Sequence, residues 1–169
     1  MNAKLSQNPL YPEILSRLKS GEKIADVGCC FGTDMRKLIV EGVSPNNVYG
    51  IDLEQSFLDQ GFELYRDADR LPRSSCIAEN MLDMSLTAGL EPLQGGIDIV
   101  YLSSFLHLFN IHEQLMAMRK VLKLIRKKPG SLIIGRSIGN AHAGPYKKRV
   151  VKDNSSAYYH NAASFEAFM

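Results

Sequence analysis

Tryptophan is absent from this chain of 169 residues and cysteine is scarce, and both shortages narrow what it can be. Three cysteines cannot pair into a disulfide framework, and two of them, Cys29 and Cys30, are neighbours; this usage fits a reducing, cytoplasmic setting. There is no C-x-x-C, and His107, His112, His142 and His160 are scattered, so no metal site is expected. The chain lacks a signal-peptide core and any apolar run of bilayer length, so no membrane partner is expected. A strong charge of either sign is missing too. Twenty Lys and Arg against 18 Asp and Glu leave a net +2, too mild for the dense basic face that nucleic acid requires. The one basic cluster, Lys147, Lys148, Arg149 and Lys152, stands among Gly, Pro, Asp, Asn and Ser and reads as a solvated loop.

What is present is an ordinary globular composition, 45% hydrophobic and 22% charged, sized for one domain over 1–169. Apolar spacing predicts helices over 10–18, 57–65 and 111–125, the last with Leu115, Met118, Val121, Leu122 and Ile125 on its apolar face. A further helix is expected to start at Thr33 or Asp34, capped by one of those side chains, and to stop at Gly42. Strands are predicted over 23–27, 48–53, 75–78, 97–102 and 131–135. Strands alternating with helices imply an α/β fold, a parallel sheet with helices on both faces. After 135 only a polar stretch and a short helix over 162–169 are expected.

The chemistry concentrates between Lys23 and Asp34. A buried strand delivers Gly28-Cys-Cys-Phe-Gly32 at its carboxyl end and a helix follows at once, the arrangement that binds ligands beyond the strand ends of a parallel sheet. Asp52 ends the next strand, about 20 residues on, where a carboxylate accepts hydrogen bonds from both hydroxyls of a ribose. Capping of the following helix is the alternative use of Asp52. A dinucleotide wants free amides for its diphosphate, and here Cys30 replaces the middle glycine while Asp34 opens the helix. Carboxylates there oppose a diphosphate but suit a cationic sulfonium with an amino-acid tail, whose ammonium Asp26 can receive. Local charge therefore favours S-adenosylmethionine over NAD, and no tyrosine has the lysine four residues later that short-chain dehydrogenases use. Cys29 and Cys30 have no paired histidine nearby in sequence and are not read as nucleophiles.

Asp26-Val-Gly-Cys-Cys-Phe-Gly32 resembles motif I of class I methyltransferases, and Gly50-Ile-Asp52 and Ile97 to Leu108 resemble their second and fourth-strand motifs. Together with Asp34 to Leu38, Phe105 to Leu108 and His160 to Phe165, they resemble a group of fungal O-methyltransferases of meroterpenoid and related natural-product pathways. The resemblance implies a three-layer Rossmann-like sheet, with S-adenosyl-L-methionine as cofactor and a small-molecule acceptor. It implies that Asp26, Gly28 and Gly32 hold the methionine part and Asp52 the ribose, with Cys30, Leu53, Asn80, Met81 and Ser103 also binding the cofactor. Asn80 would meet the adenine amino group, with Glu79 as the rival that strand alternation points away. If the acceptor is a hydroxyl, a base is needed, and His107 just past strand four is the candidate; His142 and His160 are weaker ones. Phe105, Phe109, Tyr101 and Met84 either line an acceptor pocket or fill the core.

Strands 6 and 7 of that fold are expected to be missing, which makes the domain C-terminally truncated and strand five an uncovered edge. A homodimer over that edge is then an expected partner. A remnant that only binds the cofactor is the alternative function, and an NAD-binding oxidoreductase the second alternative.

Overall fold

The computed structural model describes residues 3–147 and 156–169; of the basic cluster, Lys148, Arg149 and Lys152 lie outside the described residues. Five parallel strands form the main sheet: β1 (Ile24–Val27), β2 (Val48–Asp52), β3 (Cys76–Ala78), β4 (Ile99–Ser103) and β5 (Leu132–Arg136). Their order is β3-β2-β1-β4-β5, so the chain reverses direction across the sheet between β1 and β4. That reversal opens a crevice at the carboxyl ends of the strands.

Alternation along the strands separates two cores, one on each face. Ile99 and Tyr101 of β4 join Ile24 and Val48 in one core. They pack there against α1 (Tyr11–Lys19), α2 (Thr33–Val40) and α3 (Gln55–Tyr65) through Ile14, Leu18, Met35, Leu38, Leu58 and Phe62. Val100 and Leu102 join Ala25, Val27 and Ile51 on the other face. Ala117, Met118, Val121 and Leu124 of α4 (Ile111–Leu124) cover them. The result is the three-layer α/β arrangement that the sequence implies.

Two local expectations need correction. The helix after the glycine turn is capped by neither Thr33 nor Asp34: Gly32 is its N-cap, in the left-handed region, and no side chain caps it. The buried face of α4 is turned by about one residue, so that Gln114 and Lys120 are fully buried while Leu115 and Leu122 are 39% and 51% exposed. Past the end of α4, Lys128 reaches the buried Asp98 before β4, 2.7 Å away.

The expectation that no strand follows β5 is also corrected. β6 (Gly144–Lys147) and β7 (Ser156–Tyr159) form an antiparallel pair, and Tyr146 and Tyr159 stack with ring centroids 5.1 Å apart. The pair is a separate two-stranded sheet, so among the described residues β5 remains one edge of the parallel sheet, with β3 the other. Helix α5 (Ala162–Phe168) follows, with Asn161 as its N-cap. No helix among the described residues is long and apolar enough to cross a membrane.

Candidate functional site

The carboxyl ends of β1, β2, β3 and β4 carry the expected residues, all at one end of the sheet. Chain exit from β1 is fixed by the β2 carbonyl of Ile51, which accepts the amides of Gly28 at 2.8 Å and Cys29 at 3.2 Å. Gly28 then turns with φ +75°, and a Cβ there would stand 2.7 Å from Cδ2 of Phe105, so backbone and ring meet only because the residue is glycine. Cys30 holds φ +53° without that freedom, a strained conformation for a side-chain-bearing residue. Its amide donates to Asp52 Oδ2 at 2.8 Å, which ties the turn to the end of β2.

Asp52 also accepts from the Glu54 amide at 3.1 Å through Oδ1, while the N-cap of α3 is Glu54 itself. Asp52 therefore does not cap α3, and its half-buried carboxylate keeps lone pairs for a ligand on both oxygens. Beside it Leu53 is 62% exposed, an apolar side chain turned outward at the crevice.

Asp26 is buried, and among the described residues no cation or hydrogen-bond donor engages its carboxyl. Burial pushes its pKa well above the carboxylate range, and the charges of Asp34 and Asp52 push it further. Asp34 has a different partner from the one its position suggested: its Oδ1 accepts the Leu5 amide at 2.8 Å, hooking the N-terminal segment over α2. Three acidic groups thus surround one glycine turn. The cations that act on Asp34 are Lys4 and Arg136, the latter at the end of β5 with its Nε 3.4 Å from the Ser103 hydroxyl. Tyr101 packs in the core at 3% exposure, and burial raises its hydroxyl to about 12.

Both cysteines of the turn are poor nucleophiles. Burial raises the Cys29 thiol well above its usual range, with Asp26 and Asp52 adding to it, and burial also raises Cys30. Sequence reasoning missed the residue that braces the turn from behind. Arg36 Nη1 donates to the carbonyl of Phe31 at 2.7 Å, and its other nitrogens form a buried pair with Asp67 at 2.7 and 3.1 Å. The guanidinium also stacks on Tyr65, 4.5 Å from the ring centroid. A charged residue between the buried Met35 and Leu38 was the available signal.

At the end of β3, Glu79 turns inward and is 5% exposed, while Asn80 is exposed at the crevice. The Asn80 Oδ1 accepts the Leu82 amide at 3.0 Å. Met81 sends its side chain into the core, where it is 5% exposed. Glu79 pairs with Lys120 of α4, a second residue the sequence reading missed.

A cavity of about 310 Å³ lies at the carboxyl end of β5, between that strand and α5. Leu102, Leu106, Ile133, Ile138 and Phe165 make its walls apolar, and Arg136 and His160 supply polar groups. His160 lines it with its ring fixed, Nε2 lying 3.1 Å from Gln114 Oε1 and Nδ1 3.0 Å from Ser164 Oγ. Gln114 spends its amide hydrogens on the carbonyls of Phe109 and Tyr158, so its oxygen accepts and His160 carries the proton on Nε2. His107 is not among the lining residues. It sits half-buried in the turn after β4, its Nδ1 buried without a hydrogen-bond partner among the described residues, and burial lowers its pKa. His142 is exposed. Phe105 and Phe109 pack edge to face with centroids 5.0 Å apart, and Met84 is 38% exposed away from this cavity.

No protein-family model matches the chain. Curated proteins do. The O-methyltransferase phiE of a fungal species is 41% identical over 98% of this chain and 54% of its own length. The Asnovolin E/Chermesin D methyltransferase of Aspergillus novofumigatus is 39% identical over 82% of this chain and 49% of its own length. The chain thus spans about half the length of these relatives. Among solved structures, an S-adenosylmethionine-dependent methyltransferase from Mesorhizobium loti aligns over 93% of this chain and 66% of its own, with 19% identity and a TM-score of 0.52. The [4+2]-cyclase SpnF aligns over 92% and 54% with 15% identity and a TM-score of 0.60. At such identities the likeness extends to the fold, and a cyclase among the neighbours shows that the fold hosts more than one chemistry.

Proposed function

From its kinship with fungal natural-product methyltransferases, of which it matches about half the length, we propose that this chain binds S-adenosyl-L-methionine and methylates an oxygen of a small apolar molecule. The observation that carries the reading is the set of acids around the glycine turn, above all the buried, unpartnered Asp26. A diphosphate brought there would meet Asp26 and Asp52 as well as Asp34, of which only Asp34 feels nearby cations, Arg136 and Lys4, whereas an ammonium supplies the charge Asp26 lacks. The same acids weigh against the nicotinamide reading.

When bound, the sulfonium supplies an already activated methyl group. The chain's part is then to hold and orient. Asp26 and the backbone of Gly28 to Gly32 take the amino-acid tail, Asp52 the ribose hydroxyls, and Asn80 the adenine edge. Leu53, the Met81 backbone and Ser103 also contact the cofactor. The cavity beside β5 excludes water from an apolar acceptor, and alignment of the reacting atoms in a dry pocket provides much of the acceleration. A carboxylate acceptor needs no base. A hydroxyl acceptor does, but His107 lies outside the cavity lining. Both ring nitrogens of His160, which lines it, are already hydrogen-bonded to Gln114 and Ser164, so His160 serves as base only if the Ser164 hydroxyl yields Nδ1 to the acceptor.

Incubation with methyl-labelled S-adenosylmethionine and a panel of small apolar carboxylic acids, phenols and alcohols tests this directly. Label in the organic extract, lost with Asp52→Ala, is the expected result. Cofactor binding without transfer to any acceptor would leave the second reading, a domain that binds the cofactor without catalysing transfer. A second copy of the chain would cover the open edge of β5, and three free thiols suit a reducing cytoplasm.

A further inference from the structure

Lys120 is a full charge with no exposed side-chain surface, facing a Glu79 side chain that is 2% exposed. It crosses from α4 to the end of β3, where its Nζ stands 2.7 Å from Glu79 Oε1 and 2.8 Å from the carbonyl oxygen of Asn80. The other Glu79 oxygen accepts from the hydroxyl of Thr87 and from its amide at 3.3 Å. Burial alone would raise the Glu79 carboxyl, but the bonds from Lys120 and Thr87 outweigh it and hold the group ionised.

Dehydrating two charges is costly, and an apolar pair of the same volume commonly holds two elements together as well or better. What such a pair cannot do is grip the Asn80 carbonyl. That carbonyl also accepts the Asp83 amide at 3.1 Å, and the Asn80 side chain is oriented by the Leu82 amide, so the whole turn 80–83 hangs from the atom that Lys120 holds. The Asn80 amide is at the same time the group placed at the adenine edge.

We propose that Lys120, with Glu79 as its counter-charge, is a positioning residue that sets the base selectivity of the nucleoside subsite by fixing Asn80. The proposal rests on the cofactor reading above. A site that hydrogen-bonds a particular base edge rejects an altered edge only while its polar group is held in register. Loosening Asn80 therefore erodes the distinction between bases more than it erodes the fold.

The test is calorimetric titration with S-adenosylhomocysteine and with S-inosylhomocysteine, whose base carries an oxo group in place of the amino group. Wild type is expected to favour the adenine compound at least tenfold. Glu79→Gln/Lys120→Met removes both charges and keeps an acceptor for Thr87; Glu79→Leu/Lys120→Met is the second variant should the first not fold. Either is expected to melt cooperatively and to lose at least threefold of the preference. A folded variant with the wild-type preference overturns the proposal, as does failure of both variants to fold, which would assign the pair to stability alone. Wild type that binds neither compound overturns the cofactor reading and the proposal with it, whereas binding without preference overturns the proposal only.

Discussion

Asp26 holds a carboxyl group where burial disfavours its charge, and Asp34 and Asp52 add to the effect. Its folded-state pKa therefore lies above its unfolded value near 4. The stability gained by keeping the proton is complete below about pH 4 and is lost as pH rises through the raised value. Asp26→Asn, of the same shape and never charged, is expected to escape that loss. Thermal melts between pH 4 and 8 should show the variant gaining on wild type as pH rises; a constant gap would contradict the account. The same variant should bind S-adenosylhomocysteine more weakly, because an amide cannot neutralise an ammonium. At Gly28 the demand is steric: alanine there must adopt φ +75° and press on Phe105. A cost of about 1–3 kcal/mol is expected, seen as a lower denaturation midpoint with weakened cofactor binding. Arg36→Leu leaves Asp67 buried without its partner and frees the Phe31 carbonyl. Urea unfolding should register a loss of about 3–5 kcal/mol.

Elements were legible in the sequence where a local pattern decides them. Ile99 to Leu102 alternate between two cores, and their continuous apolar run reads as a buried strand without any knowledge of its neighbours. Asp52 was legible because strand, turn and helix lengths fix its distance from Gly28. The antiparallel pair was not. Gly144 and Pro145 are weak strand residues, and β6 is held by its partner across the sheet, including the Tyr146–Tyr159 stack. Asp34 read as a cap because capping is local, whereas its bond to Leu5 spans 29 positions. Lys120 and Glu79 lie 41 positions apart, and only the misplaced face of α4 could have hinted at them, since a lysine there falls on the buried side. The start of α4 is a capping box between Asn110 and Glu113, a pattern that sequence does carry. Asn110→Ala is expected to cost about 1 kcal/mol, measured as a fall in the thermal midpoint with the far-UV helical signal retained.

At the scale of the molecule, one half of the crevice is built from strands whose both faces are covered, and the other half ends at β5. The side chains of Leu132, Ile133 and Ile134 are only half-buried there, and β5 has one paired side among the described residues. Sedimentation velocity over a range of concentrations should therefore show self-association. A strictly monomeric chain at high concentration would contradict pairing along β5. The proposed cofactor residues lie away from β5: Asp26 and the glycine turn belong to β1 and its exit, Asp52 to β2, and Asn80 follows β3. Calorimetric titration of the chain with S-adenosylhomocysteine, with NADH and Asp52→Ala as controls, decides whether it holds this cofactor. Micromolar binding at a single site, at least tenfold weaker in Asp52→Ala, and no heat from NADH are expected. Binding of NADH in place of S-adenosylhomocysteine, or a folded chain that binds neither, would contradict the cofactor reading.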